Sequence, residues 1–143
     1  MAYATVQDCI DRRGEESLRE LADDPHADAL AWDALERALE DASDEIDAYV
    51  GARHDLPLDP APRILVRLCV EIGVYLAAAD ADQGTDERRR RYEGAIGLLR
   101  DIREGRASLG AADPDPPAEA EAPVVQVESF PRVMTRDSLR GML

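Results

Sequence analysis

Lysine is absent from this chain, and all 17 basic residues are arginine. A GC-rich genome and a salt-adapted host would each produce that bias. Aromatic residues are also scarce, with one Phe, one Trp and four Tyr. The core therefore has to be assembled from Leu, Ile, Val and Ala, which suits helices. The two cysteines, Cys9 and Cys69, stand alone among apolar residues. They read as small buried hydrophobes in a reducing compartment, not as a disulfide framework or metal site. No apolar run reaches bilayer length, because 64–79 is short and interrupted by Arg67 and Glu71. Asp8, Asp11 and nearby arginines break any N-terminal signal-peptide pattern. These absences lead us to expect a soluble protein made in the cytoplasm, without membrane contact. At 143 residues it is one domain at most, with a tail. A net charge of −14 opposes nucleic-acid binding unless a local patch overrides the overall field.

The signatures of catalysis are missing as well. There is no nucleophile elbow, no Cys–His pairing, no glycine-rich phosphate loop and no metal-ligand spacing. The segment Asp23-Asp24-Pro25-His26-Ala27-Asp28 clusters carboxylates with a histidine. It lacks the turn glycine and terminal glutamate of a calcium loop and reads as a solvated acidic loop. His54, between Arg53 and Asp55, is expected at the surface. The expectation is a protein that is not an enzyme and uses no metal or cofactor.

What the sequence does contain is helical periodicity. Thr5 and Asp8 form a capping-box pattern. The helix they start buries Val6, Cys9 and Ile10, ends at about Arg13 and is stopped by Gly14. A second short helix follows over 15–21, with Leu18 and Leu21 on one side. The spacing of Trp32, Leu35, Leu39, Ala42, Ile46, Tyr49 and Val50 predicts a long amphipathic helix from about Ala31 to Gly51. Glu36, Glu40, Asp41, Asp44, Glu45 and Asp47 cover its other side. Gly51 is placed as its stop, and Leu56-Pro57-Leu58-Asp59-Pro60-Ala61-Pro62 forms a stiff elbow. Tyr49 and Leu56 are expected to pack there.

The next helix, about 62–79, is apolar nearly all round, with Arg63, Arg67 and Glu71 four apart on one line. We infer that part of this surface packs against another subunit, through Ile64, Val66, Val70 and Val74 with Arg67 and Glu71. The alternative is a central helix wrapped by its own chain. Thr85 caps a last helix, about 86–104, with Tyr92, Ala95, Ile96, Leu99 and Ile102 as its stripe. Its arginine run, 88–91, contains the i,i+4 pairs Asp86–Arg90 and Glu87–Arg91 and no interleaved aromatic residues. It reads as a solvated, salt-bridged face, ahead of contact with an acidic neighbouring subunit and of DNA phosphate contact.

Composition divides the chain into a helical domain, 1–110, an acidic Pro/Ala linker, 111–123, and a tail, 124–143. Val124 to Phe130 has strand character, and one helical turn is expected near the end. A frayed terminus is one reading of the tail. We favour a peptide that docks on a partner by strand addition, through Val125, Val127, Phe130, Arg132, Arg136 and Leu139. The fold class expected is all-α, a small bundle of about four to five helices with an extended C-terminal tail.

The stretch Glu45-Ile46-Asp47-Ala48-Tyr49-Val50-Gly51-Ala52-Arg53-His54-Asp55-Leu56-Pro57-Leu58 resembles the signature of the Mu-like phage neck protein family. Tyr3-Ala4-Thr5, Arg90-Arg91-Tyr92-Glu93, Gly105, Ser108-Leu109-Gly110 and Arg132 to Gly141 follow the same pattern in order. His54 departs from it, standing where the family has an aromatic Tyr. The resemblance implies a head-tail adaptor: a subunit of a ring, usually twelvefold, that sits below the portal protein. Such a ring extends the DNA channel and meets the next neck or tail-completion protein. It would be located in the virion neck, between head and tail. On this chain, Glu36, Glu40, Asp44 and Asp47 are the candidates to line the channel, since an acidic wall lets double-stranded DNA slide without sticking. The alternative is a small helical binding module or regulator that recruits a partner through its C-terminal peptide.

Overall fold

A computed structural model describes residues 1–110. Helix α1 is Val6–Arg13, α2 is Glu15–Leu18 followed by a 3-10 turn at Arg19–Leu21, α3 is Asp33–Val50, α4 is Arg63–Asp80 and α5 is Asp86–Arg103. There is no strand among the described residues, and the protein is all-α. The linker 111–123 and the tail 124–143, with its six candidate docking residues, lie outside the described residues.

Local chemistry sets the ends of α1. The Asp8 N–H donates to Thr5 Oγ1 at 3.2 Å and the Thr5 N–H donates to Asp8 Oδ2 at 2.8 Å. This reciprocal pair satisfies two backbone donors that a helix start leaves open. Gly14, at φ 77°, then turns the chain into α2, a backbone region where other residues carry a steric cost.

The three 18-residue helices build the core. Helices α3 and α4 form the main interface, and α5 packs across both. Leu35, Leu39, Ile46, Leu65, Leu68, Ile72, Leu99 and Ile102 are fully buried between them, each worth about 1.5–3 kcal/mol in removed apolar surface. Helix α3 meets α4 closely at Gly73, where a Cβ would sit 2.6 Å from Leu39 Cδ2 and 3.4 Å from the Leu39 Cα. Tyr92 ties the third helix in. Its ring stacks on Tyr75 at 4.2 Å, and its hydroxyl donates to Glu45 Oε1 of α3 at 3.1 Å.

Helix α4 requires a correction. Val70 and Val74 are 0% and 5% exposed within the single chain, so they belong to its own core and cannot form a surface for another subunit. The reason is geometric: α3 and α5 flank α4, and α1 packs on it as well. Among the described residues, α1, α3 and α5 suffice to wrap the central helix. Ile64 and Val66 are half-buried and Arg67 is exposed. Glu71, also a candidate for subunit contact, is half-buried and paired with Arg13 of α1.

The elbow after α3 begins at Gly51, which caps the helix where its stop is expected but by a different geometry. Gly51 has a right-handed backbone, φ −61°, so it does not end the helix by a left-handed turn. The helix closes instead when the Arg53 and His54 N–H groups both return to the Val50 carbonyl, at 3.0 Å each. A Cβ on Gly51 would lie 3.1 Å from Leu56 Cδ1, so the glycine makes room for Leu56 to cross over it. Leu56 itself stays 40% exposed, contrary to its expected packing role. His54 is buried, 7% exposed, instead of being on the surface. It occupies an inward position of the turn.

Candidate functional site

On α3, the core-facing positions are Leu35, Ala38, Leu39, Ala42, Ser43, Ile46 and Val50. The helical period therefore turns Glu36, Glu40 and Asp44 to solvent, and all three are exposed. They are spaced i, i+4, i+8, so they form one line of carboxylates. Among the described residues none of the three has a cationic partner, and like charges at this spacing cost stability. Asp47, the fourth candidate, is placed differently. It is half-buried and accepts a hydrogen bond from the Tyr3 hydroxyl, which ties the N-terminus to α3. The Tyr3 N–H also donates to Ser43 Oγ at 2.9 Å. Burial first, and then the Asp47 carboxylate, raise the Tyr3 hydroxyl pKa above its ordinary value. Asp47 is thus a structural acceptor, while Glu36, Glu40 and Asp44 make the open acidic face.

The arginine run on α5 is largely engaged. Arg89 pairs with Asp86 and Arg91 with Glu87. The expected Asp86–Arg90 pair is replaced by the i,i+3 contact. Arg88 donates to the Gln83 carbonyl in the turn before α5 at 2.6 Å, and reaches across to α2 and its 3-10 turn, donating to the Ser17 carbonyl at 3.4 Å and pairing with Glu20. Arg88 therefore clamps α5 to the N-terminal hairpin, a role that no local spacing reveals.

A second surface was not anticipated. The proline elbow, from Pro57 to Arg63, and Leu109 line an open cleft of about 650 Å³ whose charged members are Asp59 and Arg63. Leu109 is buried, so the end of the described chain packs back beside the elbow. Gly105 allows this return: it sits at φ 77°, and a Cβ there would overlap the Arg53 guanidinium.

The two thiols are interior. Cys9 and Cys69 are both buried and unbridged. Burial pushes the Cys9 thiol up to about 12 and raises that of Cys69. Neither is a thiolate near neutral pH, so neither is a ready nucleophile or metal ligand. Cys69 Sγ lies 3.4 Å from Ser43 Oγ, joining α4 to α3 under Tyr3. In the loop at 23–28, Asp24 accepts from the His26 N–H at 3.0 Å, so the carboxylate organises its own turn. Among the described residues no group of three or more His, Cys, Asp or Glu side chains is arranged to hold a metal ion. No described helix is long and apolar enough to cross a membrane.

Comparison with known proteins adds to this geometry. The family model described as "Bacteriophage Mu, Gp36" matches residues 3–127. The chain is similar to the Mu-like prophage FluMu protein gp36 of Haemophilus influenzae, 35% identical over 141 residues, covering 99% of this chain and 98% of that protein. It is also similar to gene product J of Escherichia phage Mu, 33% identical over 137 residues, covering 95% and 96% of the two chains. The chain belongs to the bacteriophage Mu Gp36 family of phage and prophage proteins.

Proposed function

We propose that this protein is a head-tail connector subunit of a tailed phage or phage-like particle. Copies form a ring, twelvefold in the simplest case, below the portal protein. The ring prolongs the DNA channel and receives the next neck or tail-completion protein. The observation that carries the proposal is the unpaired line Glu36–Glu40–Asp44 on α3, in a chain of a phage Mu family. A monomer gains nothing from three aligned carboxylates, which repel one another. A channel wall gains a surface that holds duplex DNA off.

Subunit contacts in this reading use what α4 leaves accessible, Ile64, Val66 and Arg67, and the elbow cleft. The tail 124–143 reaches a neighbour or the portal. The test is capture by the portal protein of the same particle. Full-length chain is expected to co-sediment with portal rings in a fixed multiple. A chain that stays monomeric and never joins portal would defeat the connector reading and favour a free-standing binding module.

A further inference from the structure

Where α4 and α5 meet α1, two adjoining clefts of about 360 and 220 Å³ have Glu71 and Arg91 in both linings and make a two-part groove. Arg12, Arg13, Arg67, Arg88 and Arg91 line it, against two glutamates, Glu71 and Glu87. In a chain of net charge −14 this is a local reversal of sign. Three of the guanidinium groups are fixed in place: Arg13 by Glu71, Arg91 by Glu87 and Arg88 by Glu20. Each still has donors to spare, because a guanidinium carries five N–H groups and one carboxylate uses at most two. Arg12 and Arg67 are exposed and have no carboxylate partner among the described residues. One end of the groove lies at Thr85 and the other at Leu98, toward the end of α5 from which the chain continues to 111.

We propose that this groove receives the acidic segment 113–121 of the same chain. That segment carries Asp113, Asp115, Glu119 and Glu121, and no basic residue occurs between Arg106 and Arg132. Pro114, Pro116 and Pro117 each have a ring-restricted φ, which lowers the entropy lost on docking. The reach is sufficient. From Gly110 to Glu119 or Glu121, at roughly 3.1 Å per residue, is about 28–34 Å of extended chain. The chain leaves from beside the start of α4, because Leu109 lines the elbow cleft with Arg63, and from Arg63 the groove residues Arg67 and Glu71 are about 6 and 12 Å along α4, at roughly 1.5 Å per residue. Tethering supplies an effective concentration on the order of millimolar, which exposed ion pairs, weak one by one, require. DNA phosphate is the poorer occupant, since it lacks the tether and a chain of net charge −14 repels a free polyanion. This inference does not depend on the connector reading, because it concerns the free subunit.

The test is an NMR spectrum of the arginine Nε–H groups in the 15N-labelled full-length chain. Neutralising the segment as D113N/D115N/E119Q/E121Q should move the signals of Arg12, Arg67 and Arg91 while leaving Arg37 and Arg100 in place. Raising the salt concentration should move the same set in the wild type. Conversely, R12A/R67A, which alters two exposed side chains without partners, should shift the backbone amides of 113–121. Groove signals that ignore both the neutralised segment and salt would overturn the proposal. So would restoration of the wild-type signals when unlabelled wild-type chain is added to the labelled neutralised variant, because the occupant would then be another copy. Groove signals that respond to short duplex DNA but not to the segment would assign the groove to phosphate, and would also overturn it.

Discussion

Substituting alanine at Gly73 should destabilise the protein, and the structure gives the size of the effect. The added methyl would lie 2.6 Å from Leu39 Cδ2 and 3.2 Å from Leu39 Cγ, where carbon–carbon contacts prefer roughly 3.5–4.0 Å. About 1 Å of displacement is needed, and Leu39 is 1% exposed with its Cα only 3.4 Å away, so a rotamer change alone does not clear the site. Overpacking of this kind costs about 1–3 kcal/mol. Alanine recovers about 1 kcal/mol of helix propensity over glycine, so the net loss is on the order of 0–2 kcal/mol. The control is Gly94→Ala on α5, which meets nothing within 4 Å and should gain about 0.5–1 kcal/mol. Propensity cancels between the two variants, and their difference isolates the close approach of α3 and α4 at about 1–3 kcal/mol. Urea denaturation of the full-length chain, followed by far-UV circular dichroism, reads this directly. In the Leu39→Ala background the steric part should vanish, appearing as a coupling energy in the double-mutant cycle. Equal effects of Gly73→Ala and Gly94→Ala would refute the packing argument.

Gly105→Ala should cost about 1–2 kcal/mol for the left-handed backbone alone, with an added loss from displacing Arg53. Gly110→Ala, at the same φ of 77° with nothing within 4 Å, reports the backbone part, and thermal melts of the two variants should differ. Stability should fall in alkali. Cys9 is raised to about 12, and Tyr3, Cys69 and Tyr92 are raised as well, so between an unfolded thiol's roughly 8.5 and about 12 the native state holds more protons than the unfolded one. The contribution is whole below about pH 8.5 and declines as pH rises through that window. The urea midpoint measured across it should drop, less steeply for the Cys9→Ala/Cys69→Ala chain, and a flat profile would contradict the burial argument. Deleting 124–143 should leave the helical circular dichroism intact while abolishing portal capture, whereas loss of the helical signal would place the tail in the core.

Local signals were legible and long-range ones were not. The capping box at Thr5 and Asp8, the turn at Gly14, the α3 stripe and the Thr85 cap are written in residues three or four apart, the scale at which a helix interacts with itself. The arginine run was legible as a salt-bridged face for the same reason. Arg13–Glu71 and Arg88–Glu20 span 58 and 68 residues, and nothing in local spacing marks them. The apolarity of α4 was read correctly as burial, but the identity of what buries it depends on how α1, α3 and α5 close around it. Val70 and Val74 were misassigned for that reason. Gly51 ends α3 where expected, but His54 was misjudged because the turn takes its shape from Leu56 crossing the glycine and from the hydrogen bonds to Val50, not from the residue's own preference. Of the channel candidates, helical period correctly exposed Glu36, Glu40 and Asp44. It could not foresee that Tyr3, 44 residues away, would engage Asp47.

The most direct measurement is an image of the assembled neck at a resolution that traces helices. The account expects a ring of this chain below the portal, with α3 facing the bore and Glu36, Glu40 and Asp44 lining it. A ring that turns these carboxylates outward and presents the arginines of α5 to the DNA would contradict the acidic-channel assignment, and a neck without this chain would contradict the connector itself.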